Sequence, residues 1–361
     1  MMLTKEKVLE ALSYVEDPDL KKDLVTLGMI RDLEIKGKEV SFSVVLTTPA
    51  CPMKDMLQRA CVNAIQHYVD KEAVVKAFMT SNVTSNRKKE ERPILPQTKN
   101  IIAIASGKGG VGKSTIASNI AAGLAAAGAK VGLIDADIYG PSIPLMFDVV
   151  NEKPLIKEIE GKNWIMPVES YGVKILSIGF FADPNQPIVW RGAMAHKALN
   201  QMLSDAWWGE LDYMIIDLPP GTGDIHLSLV SAVPLTGAII VSTPQDVALA
   251  DARKGIAMFQ LPQINVEVLG IVENMSWFTP EELPDNKYFI FGKDGAKQLA
   301  EELHIPLIGQ IPLVQSIRES GDVGRPAVLQ ESTLQANAFK ELVKSFAQQV
   351  AIKNASEKVP A

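Results

Sequence analysis

The chain has 361 residues, of which 47% are hydrophobic and 22% are charged. This composition excludes a disordered chain and a collagen-like repeat, and two cysteines are too few for a disulfide scaffold. With 36 Lys and Arg against 42 Asp and Glu, the formal net charge is -6, so the overall charge favours neither nucleic acid nor an acidic membrane as a partner.

The first 80 residues predict a small α+β domain. Apolar residues at helical spacing predict a helix over 5–15, alternation predicts a strand over 39–46, and a second helix is expected over 53–68, with Cys61 in its core face. Residues 81–99 contain two prolines and the charged run 87–92, which predicts a linker whose charged run lies in solvent.

From residue 100 the pattern changes to continuous apolar runs, which are typical of strands buried on both faces. These runs lie at 101–105, 131–134, 214–216, 238–241 and 268–272. Helical patterns such as 113–127 and 249–259 separate them, and an extra strand is expected at 173–178. The pattern predicts an α/β domain over 100–350 with a doubly wound, mostly parallel sheet, followed by a flexible tail over 351–361.

A glycine-rich loop follows the first of these runs. Residues 107–114, GKGGVGKS, match G-x-x-x-x-G-K-[ST] between a predicted buried strand and a predicted helix. In such a P-loop, backbone amides surround phosphate oxygens, Lys113 contacts the β- and γ-phosphates, and the Ser114 hydroxyl binds Mg²⁺. The predicted nucleotide-binding residues are Gly107, Lys108, Gly109, Gly110, Val111, Gly112, Lys113, Ser114 and Thr115.

Two predicted strands end in acidic residues. Asp135 and Asp137 follow one strand and Asp217 ends another, and the carboxyl ends of parallel strands meet at the ligand edge of a sheet. We expect Asp217 to hold a magnesium-bound water and Asp137 to orient or activate the attacking water. The alternative, most open for Asp135, is that these carboxylates cap the next element.

Lys108, directly before the glycine pair, is not required by the general motif. With it the loop resembles the deviant Walker A class, the MinD and ParA superfamily, whose signature is K-G-G-x-x-G-K-[ST]. The resemblance implies a homodimer that sandwiches two nucleotides, in which Lys108 reaches the phosphates of the partner. The predicted catalytic residues are therefore Lys108, Lys113 and Asp137, the alternative for Lys108 being a solvated loop lysine.

Further segments narrow the resemblance to the Mrp/ApbC family of iron–sulfur cluster carriers over residues 98–345. They are DADIYGPS (135–142), WRG (190–192), DLPPGTGD (217–224) and VENMS (272–276). The first domain resembles PaaD- and SufT-like assembly factors through DPD (17–19) and TTPACP (47–52). The resemblance implies a Mg²⁺-dependent ATPase that carries a [4Fe-4S] cluster to apo iron–sulfur client proteins alongside assembly factors, with Asn274 at the adenine edge. The residues themselves predict a cytoplasmic protein from the low cysteine content, no nucleic-acid partner from the net charge, and no membrane insertion because the apolar runs are shorter than a membrane span.

One departure from this family concerns the cluster ligands. Typical carriers have a C-x-x-C pair after the Asn-Met-Ser segment, but residues 276–285 here read SWFTPEELPD. Any cluster must then be shared between subunits, bound by other ligands or held with a client. Cys51 is the better candidate ligand, because it precedes an expected helix near Pro52, whose N-terminus would lower the pKa of its thiol. The four histidines have no metal-ligand spacing, and we expect no zinc site.

Two other functions remain open from the residues alone. A MinD- or ParA-like positioning ATPase would act on a membrane or on DNA, and the former needs a basic amphipathic C-terminal helix. An apolar stripe does occur there, but such a stripe is more often a helix packed on its own sheet. It comprises Phe339, Leu342, Val343, Phe346 and Val350. The third function is an enzyme that phosphorylates or amidates a small molecule.

Overall fold

The computed structural model describes residues 3–85, 94–138, 140–181, 192–280, 282–283 and 285–356. The chain divides into two compact units, residues 1–86 with 347–361, and residues 87–346. The predicted charged run at 87–92 and the residues Trp190 and Arg191 lie outside the described residues.

The described helices are α1 (Lys5–Leu12), α2 (Lys54–Tyr68), α3 (Lys113–Ala126), α4 (Ile143–Met146), α5 (Gly192–Ser204), α6 (Asp224–Ala232), α7 (Asp246–Phe259), α8 (Gly295–Leu303), α9 (Gln315–Asp322) and α10 (Leu334–Ser356). The described strands are β1 (Glu16–Asp17), β2 (Lys22–Asp23), β3 (Ile30–Lys36), β4 (Glu39–Leu46), β5 (Val74–Ser81), β6 (Thr98–Ala105), β7 (Val131–Asp135), β8 (Leu155–Ile159), β9 (Lys162–Met166), β10 (Val168–Ser170), β11 (Val173–Ser177), β12 (Leu211–Asp217), β13 (Gly237–Ser242), β14 (Val268–Phe278) and β15 (Leu307–Leu313).

The first unit is built on a three-stranded sheet. Strand β4 pairs antiparallel with β3 and parallel with β5. Every second residue of β4 is buried, as the predicted alternation requires, and packs with the apolar faces of α1 and α2. The Cys61 side chain is fully buried in this core.

The second unit contains an eight-stranded sheet in the order β10-β11-β7-β12-β6-β13-β14-β15. All neighbours pair in parallel except β10 with β11. The five predicted apolar runs all lie in this sheet, and β11 is the expected extra strand, so the predicted fold class is confirmed. Strands β8, β9 and β15 were not predicted, because β8 is almost entirely exposed and Gly309 and Pro312 interrupt the apolar pattern of β15.

Both faces of the sheet are covered. On one face, alternate residues such as Ile101, Met214 and Ile240 share a core with residues of α5, α6, α7 and α8. On the other, Tyr213 packs on Phe346 of α10 with their ring centroids 6.1 Å apart. The five residues of the C-terminal apolar stripe are all buried, which favours a packed helix over a membrane-binding one.

The end of the chain differs from the expected tail. Helix α10 continues to Ser356, and the buried Asn354 side chain donates a hydrogen bond of 3.0 Å to the Thr84 carbonyl within the first unit. The sequence here is polar and lacks an apolar stripe, so periodicity did not predict this helical end. A search of the described residues finds no helix that is long and apolar enough to cross a membrane.

Candidate nucleotide site

The glycine-rich loop connects β6 to α3, and two of its glycines are required by close approaches. A Cβ atom on Gly107 would lie 2.2 Å from the carbonyl carbon of Asp251 in α7. Gly112 has φ +82°, and a Cβ there would lie 2.2 Å from Nδ2 of Asn274. A larger residue is therefore excluded at Gly107 by the backbone of α7. At Gly112 it is excluded both by the Asn274 side chain and by the positive φ angle.

Lys113, at the start of α3, forms a buried ion pair with Asp217 at the end of β12. The Lys113 ammonium donates to Asp217 Oδ1 at 2.6 Å and to Ser114 Oγ at 3.3 Å. Burial raises the pKa of Asp217, while the Lys113 charge opposes this effect. The second carboxylate oxygen, Oδ2, is buried and has no hydrogen-bond partner among the described residues. Within the described chain, Asp217 Oδ2 is therefore an oxygen acceptor without a hydrogen-bond donor, on the carboxylate that pairs with Lys113 of the glycine-rich loop.

Asp135 lies at the end of β7. Of the three acids, it is the one for which the sequence most favours the alternative role of capping the next element, and its contacts are those of a capping residue. Its carboxylate is fully buried and accepts hydrogen bonds from Ser177 Oγ at 2.9 Å, the Ile143 amide at 3.1 Å and the Asp137 amide at 3.2 Å. Burial, with the nearby Asp217 carboxylate, raises the pKa of Asp135 to about 7. The carboxylate fixes the backbone of the segment that carries Asp137.

Asp137 is half-buried, and its Oδ1 accepts a hydrogen bond of 3.3 Å from the Gly140 amide. Its charge helps to raise the pKa of Asp217, so the carboxylates predicted from separate strands do meet at one edge of the sheet.

Lys108 is half-buried, and its carbonyl accepts a hydrogen bond from Ser106 Oγ at 2.9 Å. In the described ranges, no carboxylate lies within ion-pair distance of the Lys108 ammonium. Thr115 lies in the first turn of α3, where its carbonyl accepts from Asn119 Nδ2 at 2.8 Å.

Asn274, in the middle of β14, holds the glycine-rich loop. Its buried amide donates a hydrogen bond of 2.8 Å from Nδ2 to the Val111 carbonyl. The preceding Glu273, which the sequence did not single out, is fully buried and accepts from the Ala296 amide at 2.7 Å and from Gln310 at 2.8 Å. The Asn274 contact joins β14 to the loop, whereas the Glu273 contacts join β14 to α8 and β15. Contact of Asn274 with adenine stays a prediction.

The prediction that a helix N-terminus lowers the pKa of Cys51 is wrong. Helix α2 begins at Lys54, three residues further on, and burial raises the pKa of the half-buried thiol because it disfavours the thiolate. The amides of Met53 and Lys54 oppose this effect only in part. Burial likewise raises the pKa of Cys61 to about 12. Across the described ranges, His, Cys, Asp and Glu form no group of three or more that could hold a metal ion.

The segment that stands where related carriers have C-x-x-C begins as a hairpin. Phe278 and Tyr288 exchange two backbone hydrogen bonds of 2.8 Å. The ammonium of Lys287 lies 3.9 Å from the centre of the Trp277 ring. Glu281 and Pro284, inside this segment, lie outside the described residues. Backbone hydrogen bonds and a lysine–tryptophan contact, rather than thiols, thus hold the two ends of this segment together.

A parallel sheet whose first strand leads through a glycine-rich loop into a helix, with a buried lysine paired to an acid on a neighbouring strand, defines a P-loop NTPase. The family model described as "NUBPL iron-transfer P-loop NTPase" matches residues 97–350. The chain therefore belongs to this iron-transfer family of P-loop NTPases. A second model, "Iron-sulfur cluster assembly protein", matches residues 5–77.

Known relatives agree with this assignment. An iron-sulfur cluster carrier protein of Synechocystis is 46% identical over 97% of this chain and 99% of its own. The iron-sulfur cluster transfer protein NUBPL of Dictyostelium discoideum is 48% identical over 72% of this chain and 79% of its own. A nucleotide-binding protein of Archaeoglobus fulgidus, solved in complex with ADP, is 37% identical, with a TM-score of 0.56 over 66% of this chain and 90% of that one. The resemblance to iron–sulfur cluster carriers is confirmed.

Proposed function

We propose that the protein is a cytoplasmic, Mg²⁺-dependent ATPase that works as a nucleotide-sandwich homodimer and passes iron–sulfur clusters to apo client proteins. The observation that carries the ATPase part is the buried Lys113–Asp217 pair behind the glycine-rich loop, with one Asp217 oxygen unpartnered. The cluster-carrying part rests on full-length similarity to proteins named as carriers.

Nucleotide binding exchanges the partner of Lys113. In the structure the ammonium pairs with Asp217 at 2.6 Å, and this pairing offsets part of the cost of burying the two charges. The phosphates of ATP offer a stronger anionic partner, cradled by the amides of the loop. Transfer of Lys113 to the phosphates then frees the Asp217 carboxylate.

The residues around this pair fit Mg²⁺. Mg²⁺ prefers oxygen ligands, and the Ser114 hydroxyl and the Asp217 carboxylate, with its orphaned Oδ2, are oxygen donors on adjoining elements. When bound, Mg²⁺ neutralises negative charge on the β- and γ-phosphate oxygens. These two side chains would hold the ion, Asp217 through a bound water.

Hydrolysis requires an oriented water and extra positive charge. Asp137 would orient the attacking water, since Asp135 fixes the backbone around it at the edge where the phosphates bind. The Lys108 ammonium has no carboxylate partner within the described chain, and in a sandwich it would contact the γ-phosphate held by the partner subunit. Charge supplied in this way stabilises the transition state.

The cluster is the cargo of this cycle. A cluster normally takes about four soft ligands, and each chain supplies one half-buried thiol, Cys51. Ligands from two subunits and from a client would have to combine, which ties cluster transfer to dimer opening. Because burial raises the pKa of Cys51, the thiol must lose its proton when it binds iron.

A transfer assay tests this proposal. The protein is reconstituted anaerobically with iron and sulfide, separated from free ions, and mixed with an apo ferredoxin that acquires a visible spectrum when loaded. We expect transfer that ATP accelerates in the wild type but not in Lys113→Ala. Absence of cluster loading would contradict the carrier role, and ATP-dependent pelleting with liposomes or DNA would instead favour a positioning ATPase.

A further inference from the structure

His226 is a buried titratable residue that the mechanism above does not use. It lies in the first turn of α6, and only 2% of its surface is exposed. Its ring packs edge-on against Phe259 of α7, with the ring centroids 5.9 Å apart. Neither ring nitrogen has a hydrogen-bond partner among the residues that the structure describes.

Such a group is unusual in a folded core. A neutral imidazole carries one N–H donor and one acceptor, and buried groups of this kind are nearly always paired. A leucine of similar size would fill the same space without this desolvation cost. Packing alone therefore does not account for a histidine at this position.

The surroundings of the ring connect it to the nucleotide edge. Burial and, to a smaller extent, the Lys113 charge lower the pKa of His226 to about 4, so the ring is neutral at physiological pH. The Pro219 carbonyl opposes this effect, which places it close to the ring although the geometry falls short of a hydrogen bond. His226 thus lies beside the segment after β12, within reach of the Lys113 charge.

That segment, residues 218–223, connects β12 to α6. It is tied to β6 by hydrogen bonds of 3.0 Å from the Leu218 amide to the Ile104 carbonyl and from the Gly221 amide to the Ser106 carbonyl. Between these ties, Pro219 and Pro220 have no backbone N–H. Pro219 is buried and its carbonyl lies near the His226 ring, whose nitrogens have no hydrogen-bond partner among the described residues.

We infer that His226 is a positioning residue for nucleotide hydrolysis: when ATP reorders residues 218–223, its ring N–H donates to the Pro219 carbonyl and holds this segment against the bound γ-phosphate. The inference rests on the proposed ATPase function.

Two variants of the full-length protein separate this role from packing. His226→Leu keeps the volume and removes the donor, and His226→Gln keeps a donor. We expect His226→Leu to lower kcat for ATP about tenfold or more, with KM nearly unchanged, because the segment is misplaced in the transition state. Its thermal midpoint should stay equal or rise, since an unpaired polar group has been removed. His226→Gln should keep most of the activity.

Hydrogen exchange of residues 218–223 with a non-hydrolysable ATP analogue and Mg²⁺ supplies a readout that needs no turnover. The analogue should protect this segment in the wild type and in His226→Gln but not in His226→Leu. The exposed His67 of α2 provides a control, since His67→Leu should change neither readout.

Equal protection and equal kcat in His226→Leu and the wild type would overturn the inference, and so would a loss of activity in both variants accompanied by a lower thermal midpoint. If the wild type shows analogue-dependent protection but no ATP turnover, the proposed ATPase function fails while exchange still decides the role of His226.

Discussion

The nucleotide edge and the surroundings of Cys51 are built in opposite ways. At the nucleotide edge, Lys113, Asp217 and Asp135 are buried, and each has a charged or hydrogen-bonding partner within the protein. Cys51 is a single half-buried thiol whose pKa is raised by burial and by the carboxylates of Asp17 and Asp19. One region is a network of paired charges, whereas the other is one thiol in surroundings that disfavour its thiolate.

This difference indicates that the nucleotide site can form within one chain, whereas the proposed cluster site cannot form from the cysteines of one chain. Preorganised charge lets one chain bind a triphosphate, because the cost of ordering the groups is met during folding. A cluster normally takes about four soft ligands and this chain has two cysteines, so the proposed cluster site would need ligands from other molecules or ligands other than cysteine. The following experiments would break or sharpen this contrast.

Lys113→Ala is expected to have the largest effect. It removes charge-assisted hydrogen bonds to the phosphates, each worth about 1.5–3 kcal/mol, and leaves Asp217 buried without its cation, so ATP affinity should fall at least about 100-fold. Calorimetry with ATP and Mg²⁺ measures this loss. Lys130→Ala, a change in an exposed surface ion pair, serves as the control. Retained affinity in Lys113→Ala would contradict a preorganised site.

Lys108→Ala should leave ATP affinity of the single chain nearly unchanged but lower kcat about 100-fold or more and remove ATP-dependent dimerisation, because a charge supplied in trans contacts the phosphates only within the dimer and stabilises the transition state there. Sedimentation velocity and a phosphate-release assay check both effects.

Mixing Lys108→Ala with Asp137→Asn decides whether the lysine acts across the interface. One of the two sites in the mixed dimer then has an intact Asp137 and receives Lys108 from the other chain. About a quarter of wild-type activity should return in an equal mixture, since half of the dimers are mixed and each has one complete site. No recovery would place the action of Lys108 within its own chain.

The pH dependence of stability tests the burial of His226. Its pKa is lowered from 6.5 to about 4 in the folded protein, so the unfolded chain binds the extra proton first as the pH falls. The free energy of unfolding is therefore highest, as far as His226 determines it, above pH 6.5. It decreases as the pH falls from 6.5 towards 4, by up to about 3 kcal/mol. Urea unfolding across this range should show a smaller loss in His226→Leu than in the wild type. Parallel curves would mean that the ring titrates normally.

Cys51→Ser should have the smallest effect, reducing bound iron and sulfide after anaerobic reconstitution by at least about half, because two of about four ligands in a dimer would be lost. Cys61→Ala is the matched control, since its thiol lies in the core and should not touch the cluster. Equal loading of Cys51→Ser and the wild type would show that other groups hold the cargo.

Structural features that are encoded by short continuous stretches of sequence could be predicted from the sequence alone. The loop at 107–114, the five apolar runs and strand β4 all encode their structure within a few residues, since backbone conformation and burial period depend on near neighbours. The acids after β7 and β12 could be expected at one edge, because parallel strands present their carboxyl ends together.

The sequence by itself determined the P-loop, the parallel sheet and the family resemblance, because each is written in local spacing. Only the tertiary structure decided that Asp135 organises the segment of Asp137 and that Asn274 holds the Val111 carbonyl. It also decided that burial reverses the expected pKa shift of Cys51 and that the buried His226 ring lies near Pro219. Hydrogen-bond partners and desolvation depend on residues far apart in the chain, and no local pattern records which of them meet.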